Sequence, residues 1–170
     1  MVETPQQYTK RLLGYLGSKN PLRVMLETPK VLAQLVHGVP KRTLMRRRRV
    51  GKWSVGEILA HLSEAELLSG YRMRQIVTRS GLRIEAMDQD AWARVGRYGK
   101  TDPDRALEMF TVLRENNLAY LRGIPRAQWS RYGMHEERGK ETLRRLVDLV
   151  AGHDINHTMQ IQGMLRRRRG

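Results

Sequence analysis

Three helix starts in this chain set a residue with a short hydrogen-bonding side chain directly before a proline: Thr4-Pro5, Asn20-Pro21 and Asp102-Pro103. Proline in the first helical position gives up an N–H that has no intrahelical partner anyway, and its fixed φ already suits the helix. A fourth start, Ser54-Val55-Gly56-Glu57, is a capping box: the serine accepts from an orphan N–H and the glutamate reaches back to the cap. Behind each start the spacing predicts a helix. The first is short and ends around Gly14 to Gly17. The second carries Leu22, Met25, Leu26, Val31, Leu32 and Leu35 to Gly38, with Pro29 expected to kink or split it. From Ser54, a stripe of Val55, Ile58, Leu62, Ala65 and Ser69 continues toward Ile76 and stops near Ser80-Gly81. From Asp102, Leu107, Phe110, Leu113, Leu118 and Leu121 lead to Gly123-Ile124-Pro125. A last helix is predicted from near Glu141, seamed by Leu143, Leu146, Val147, Val150, Ile161 and Met164.

Between these segments, Gly81 to Lys100 is polar and glycine-punctuated, with a helical turn expected around Met87 to Arg94, and Gln128 to Gly139 reads as a loop. Nothing alternates with period two for long enough to predict a sheet. Four long helices, modest connections and no strands give an all-α fold, a four-helix bundle. Residues 1–170 form one domain, with 1–19 as a short N-terminal helical extension and 166–170 as a basic tail.

The chain has no cysteine, which removes disulfides, cysteine-based zinc sites and a protein thiol nucleophile. That fits a reducing cytoplasm, the expected location. The start, MVETPQQYTKRLLGYLG, lacks the pattern of a signal peptide, and no stretch approaches the ~20 apolar residues of a membrane span. The formal charge of +15 raises nucleic acid as a partner. Yet there is no recognised nucleic-acid module, and three Trp and a single Phe offer no stacking platform. The runs Arg46 to Arg49 and Arg166 to Arg169 read better as solvated segments. Nucleic-acid binding stays as an alternative.

Chemistry concentrates on histidine. In LVDLVAGHDINHTMQIQGML, His153 and His157 lie four residues apart on the apolar seam of the last helix, a spacing of roughly 5–6 Å between Cβ atoms. His61, in KWSVGEILAHLSEAE, sits at the edge of the second long stripe, and packing of the two helices could bring it opposite the pair. Three neutral imidazoles would hold zinc, nickel, copper or iron and leave positions for water or substrate. The competing reading is three hydrogen-bonded core histidines. His37 is expected in a helix's last turn, where a cation suits the dipole, and His135 on a solvated loop. Glu64 and Glu66 are candidate acid–base or supporting groups, with exposed carboxylates as the plainer reading. Asp154 and Gln160 could orient imidazole N–H groups or face an interface or solvent.

The pieces GKWSVGEILAHLSEAELLSGYRMRQI, MHEERGKETLRRLV and AGHDINHTMQIQGML resemble the DinB-like (DinB/YfiT-type) metalloprotein family, over about Pro21 to Leu165. The resemblance implies an up-down-down-up four-helix bundle, a homodimer, and a divalent metal ion, nickel or zinc, held at His61, His153 and His157. It also implies a metal-dependent enzyme that acts on a small-molecule substrate. The metal would activate water, as in a hydrolase, or a low-molecular-weight thiol, as in an S-transferase. A non-catalytic metal-binding scaffold is the other possibility within the family. The high positive charge departs from the family pattern.

Overall fold

The computed structural model describes residues 3–166. In chain order its helices are α1 (Pro5–Leu16), α2 (Pro21–Val36), α3 (Lys41–Leu44), α4 (Val55–Thr78), α5 (Gln89–Val95), α6 (Pro103–Arg122) and α7 (Leu143–Arg166). Three short strands, β1 (Leu82–Ile84), β2 (Tyr132–His135) and β3 (Gly139–Thr142), complete the regular elements together with two turns of 3-10 helix. The expected basic tail lies outside the described residues apart from Arg166. No helix among the described residues is long and apolar enough to cross a membrane.

All four predicted starts are capped. Thr4 and Ser54 each accept from the N–H three residues on, at 3.2 Å, and Gln7 and Glu57 each reach back to the cap N–H at 2.8 Å. Asn20 accepts from Arg23 N at 3.1 Å and Asp102 from Asp104 N at 2.9 Å. Each cap stabilises its helix by roughly 1 kcal/mol. Pro29 does not split α2, which runs unbroken to Val36.

The long helices form the bundle in the ring order α2, α6, α4, α7. Their directions follow from side-chain pairs. Arg114 on α6 meets Glu66 on α4, and Arg74 further along α4 covers the Tyr120 ring further along α6, so these two neighbours run parallel. Met25 on α2 packs in one cluster with Leu118 and Leu121, whereas Leu32 and Val36 join Ala106 and Phe110 in the other. Helix α2 is thus antiparallel to α6. The same clusters set Met25 with Val147 and Ala151, and Leu32 with Ile161, making α2 and α7 parallel. The result is up-down-down-up, as expected. Helix α1 lies against α7, and the close approach is possible because residue 152 is glycine: a Cβ there would meet the Leu12 carbonyl oxygen at 2.3 Å.

The prediction of no sheet is overturned. Strand β1 pairs parallel with β2, and β2 pairs antiparallel with β3 across a turn closed by Gly139 at φ +73°. The stretch read as a loop therefore contains β2. Its alternation is real, with Gly133 and His135 buried and Met134 exposed, but it lasts four residues. Its inward positions are a glycine and a histidine, so no apolar period-two signal marks it. The sheet ties the end of α4 to the start of α7. Arg131 Nε donates to the Ile76 carbonyl at 3.4 Å, and Leu143 N donates to the Arg131 carbonyl at 2.8 Å.

Candidate metal centre

The sheet and the antiparallel packing of α4 on α7 bring His61 opposite His153 and His157. His153 Nε2 lies 3.0 Å from His61 Nε2 and 3.0 Å from His157 Nε2. His61 and His157 are buried, and His153 keeps some exposure to the adjoining cavity. Trp53, just before the α4 cap, covers the His61 ring at a centroid distance of 4.9 Å.

Protons decide what this trio is suited to. His157 Nδ1 donates to Gln160 Oε1 at 3.0 Å, which leaves Nε2 as a bare lone pair aimed at the other two rings. Burial pushes His61 down to about 3, with His157 adding to the effect. Burial likewise lowers His157 to about 4, against the opposing bond to Gln160. His153 falls well below its ordinary value, by burial and then by its two histidine neighbours. All three rings are therefore neutral at pH 7, the form that ligates metals. A neutral trio can place at most one proton usefully between three converging nitrogens, so hydrogen bonding alone leaves lone pairs facing each other. Bonds of about 2.0–2.1 Å to one divalent ion set nitrogens roughly 2.9–3.4 Å apart, and the observed spacing fits. Nδ1 of His61 has no partner in its buried setting. The residues present fit a three-histidine cation site.

Beside the histidines lies a buried ionic group that sequence reasoning missed. Arg114 donates to both carboxylate oxygens of Asp154, to Glu66 Oε2 at 2.8 Å and to the Met25 carbonyl at 2.9 Å. Asn117 Nδ2 donates to Glu66 Oε1 at 2.8 Å. Burial alone would strip charge from Arg114, but Asp154 and Glu66 outweigh it and hold the guanidinium above its ordinary value. Burial raises Asp154 above the usual carboxyl range, against the pull of Arg114. Two carboxylates thus flank one guanidinium beside the histidines.

Several expectations change accordingly. Glu66 is not an exposed carboxylate but is 2% accessible and committed to Arg114. Glu64 stays partly exposed and outside the group. Asp154 serves Arg114 rather than an imidazole, an interface or solvent, whereas Gln160 does accept from the His157 imidazole. His135 is no solvated loop residue. It is buried in β2, where Nδ1 accepts from Glu137 N at 3.2 Å and Nε2 has no partner. It stands apart from the trio. His37 is exposed at the end of α2. Arg114 carried a readable signal: it falls between Phe110 and Leu118 on the apolar seam of α6, where an arginine must find buried counter-charges.

A cavity of roughly 1090 Å³ opens over the histidines. Helix α4 contributes Ala65, Leu68 and Ser69, α7 contributes Leu146 and Leu149, and α1 closes one side with Tyr8 and Leu12. The connection before α4 places Arg48, Arg49 and Lys52 on its rim. Arg47 is instead bound to Glu57.

The family model for the DinB superfamily matches residues 25–161. The chain is 27% identical over 148 residues to the "putative metal-dependent hydrolase YfiT" of Bacillus subtilis, covering 86% of this chain and 83% of that protein. It is 24% identical to a "putative metal-dependent hydrolase" of Bacillus mycoides, over 83% of this chain and 81% of that one. The solved structure of Bacillus subtilis YfiT, described as having an unusual four-helix bundle topology, superposes with a TM-score of 0.81 at 24% identity. That match covers 97% of this chain and 89% of the YfiT chain.

Proposed function

Because this chain belongs to the DinB superfamily, we propose that it is a metal-dependent hydrolase whose His61, His153 and His157 hold one divalent cation, zinc or nickel, at the base of the cavity. The observation that carries this reading is the convergence of three neutral imidazole nitrogens from two helices, the inner one 3.0 Å from each of its neighbours. The curated relatives named as metal-dependent hydrolases support the reaction class.

A divalent ion bound there supplies Lewis acidity and makes a nucleophile available from water at neutral pH. The protein's own groups do the rest. Gln160 fixes the tautomer of His157, and the buried group of Glu66, Arg114 and Asp154 ties α4, α6 and α7 together beside the histidines. Trp53 and the apolar walls restrict bulk water, which strengthens every electrostatic interaction inside. An external low-molecular-weight thiol is the second nucleophile such a site could activate. With no cysteine in the chain, any thiol chemistry depends on one.

Elemental analysis of purified protein should find about one zinc or nickel per chain, and His61→Ala, His153→Ala or His157→Ala should each abolish it. The metal-loaded protein should hydrolyse members of an ester and amide panel, with activity removed by a chelator and restored by metal. Turnover only when a thiol and an electrophile are supplied together would replace the hydrolase reading with the transferase one. Metal binding with neither activity would leave a scaffold.

A further inference from the structure

The cavity has a second, chemically different end. His61, Ala65, Leu68 and Arg72 follow one another at steps of four, three and four along a single face of α4, with Ser69 beside Leu68, and all five line the cavity. Arg72 stands three turns beyond His61, about 16 Å along the helix axis. Its side chain is nine-tenths buried, yet its one hydrogen bond runs from Nη2 to the Glu85 carbonyl. Among the described residues no carboxylate comes within ion-pair distance of it, although the charges of Glu141 and Glu137 reach it. Glu141, itself buried, is held by both Nε and Nη2 of Arg138, at 2.7 and 3.1 Å. Glu137 is exposed and makes no ion pair. The contrast with Arg114 is direct, since that buried guanidinium is met by two carboxylates. Burial, then Arg138, presses the Arg72 pKa below its ordinary value against the weaker opposing pull of Glu141 and Glu137, and an anion in direct contact would relieve the remainder.

The ground between the two ends is apolar, with Leu68, Leu146, Leu149 and Leu12 among its walls. On the α1 side, Thr9 Oγ1 is buried without a partner and also borders the cavity. A buried guanidinium with no carboxylate in contact is costly to keep, and here it borders space large enough for a ligand.

We propose that Arg72 binds the carboxylate of an elongated amphiphilic substrate, whose apolar middle lies along Leu68, Leu146 and Leu149 and whose reactive end reaches the histidines. A single guanidinium with two carboxylates already near it suits a singly charged carboxylate better than a phosphate dianion. The guanidinium also retains donors for the two carboxylate oxygens. The substrate class is therefore a carboxylate-bearing ester or amide with an apolar spacer. The reactive end of this assignment rests on the hydrolase reading, whereas the Arg72 end is testable without it.

The test is calorimetric titration of octanoate, octan-1-ol and octylamine into wild type, Arg72→Gln and Arg72→Lys, each metal-loaded and chelator-stripped. Octanoate should bind stripped wild type about ten-fold or more tighter than the alcohol or the amine. Arg72→Gln should erase that advantage and Arg72→Lys should restore part of it. Thermal unfolding of each variant shows whether it is folded, and the three-probe comparison in wild type needs no variant at all. Equal binding of octanoate and octanol overturns the proposal, as does binding untouched by Arg72→Gln or no binding of octanoate. Octanoate binding that vanishes with the metal also overturns it, because the carboxylate then sits on the cation. Octanoate binding through Arg72 without any ester or amide turnover would end the hydrolase reading and leave the carboxylate site standing.

Discussion

Gly152→Ala offers a test in which two physical effects predict opposite signs. In the middle of a helix, replacing glycine with alanine ordinarily stabilises by about 0.5–1 kcal/mol, because the unfolded glycine has more freedom to lose. At position 152 the new methyl would lie 2.3 Å from the Leu12 carbonyl oxygen, 2.7 Å from its carbon and 3.1 Å from its Cβ. Two of those three atoms are backbone, so no rotamer change relieves the clash. Helix α1 must retreat by roughly 1 Å, an overpacking that typically costs about 1–3 kcal/mol. The ceiling is set by complete undocking of α1, which exposes Leu12 and Leu16, each worth about 1.5–3 kcal/mol when buried. The net expectation is a loss of about 1–2 kcal/mol, or a Tm lower by about 2–8 °C for a chain of this size. Gly163→Ala, on the same helix with nothing within 4 Å, is the control and should gain the ordinary increment. Urea denaturation of both variants, alongside limited proteolysis at the α1–α2 connection, reads out the difference. If Gly152→Ala matches or exceeds wild type as Gly163→Ala does, the close packing of α1 on α7 is wrong.

Arg114→Met should cost about 3–5 kcal/mol at pH 7.5 by leaving two buried carboxylates without a counter-charge, and chemical denaturation checks it. Part of that loss should return toward pH 5. Without the guanidinium the folded carboxyl pKa values rise above their unfolded ones, so the folded state holds more protons and is relatively favoured by acid. Gln160→Ala should weaken zinc or nickel binding about 10- to 100-fold in a chelator competition while leaving the fold intact, because His157 loses the partner that fixes its tautomer. His135 should make the fold acid-sensitive. Burial, then Arg138, lowers it to about 4 from an ordinary 6.5, so the unfolded chain binds the extra proton first. Stability is then lost as pH falls from about 6.5 toward 4, by on the order of 2–3 kcal/mol for this group. His135→Asn should flatten that slope relative to wild type, as measured by denaturation midpoints across the window; parallel slopes would contradict it.

The bundle was legible because its signals are local and repeated. Thr4, Asn20, Ser54 and Asp102 announce helix starts through chemistry that acts within one turn, and each does so in the structure. His61, His153 and His157 were legible as a set because a polar ring on an apolar seam must meet something. What escaped notice depends on partners distant in sequence. Arg114 stands out on its apolar seam, but its partners Glu66 and Asp154 look like ordinary helix charges until three helices bring them to one point. The strands failed to register because Gly133 and His135 fill positions where valine or isoleucine would have signalled burial. Arg72 went unread for a related reason: nothing in the local sequence says that a guanidinium will lack a carboxylate.

The pairing of β1 with β2 fixes the far ends of α4 and α7, and His61 must face His153 from well inside those helices. One codon gained or lost between His61 and Thr78 would swing the ring about 100° around its axis and slide it 1.5 Å. The chain can therefore grow or shrink over evolutionary time in the connection between β1 and α6, but hardly at all along α4 beyond His61. Length polymorphism among natural variants should respect that boundary, with gaps crowding residues 85–102 and sparing 61–78.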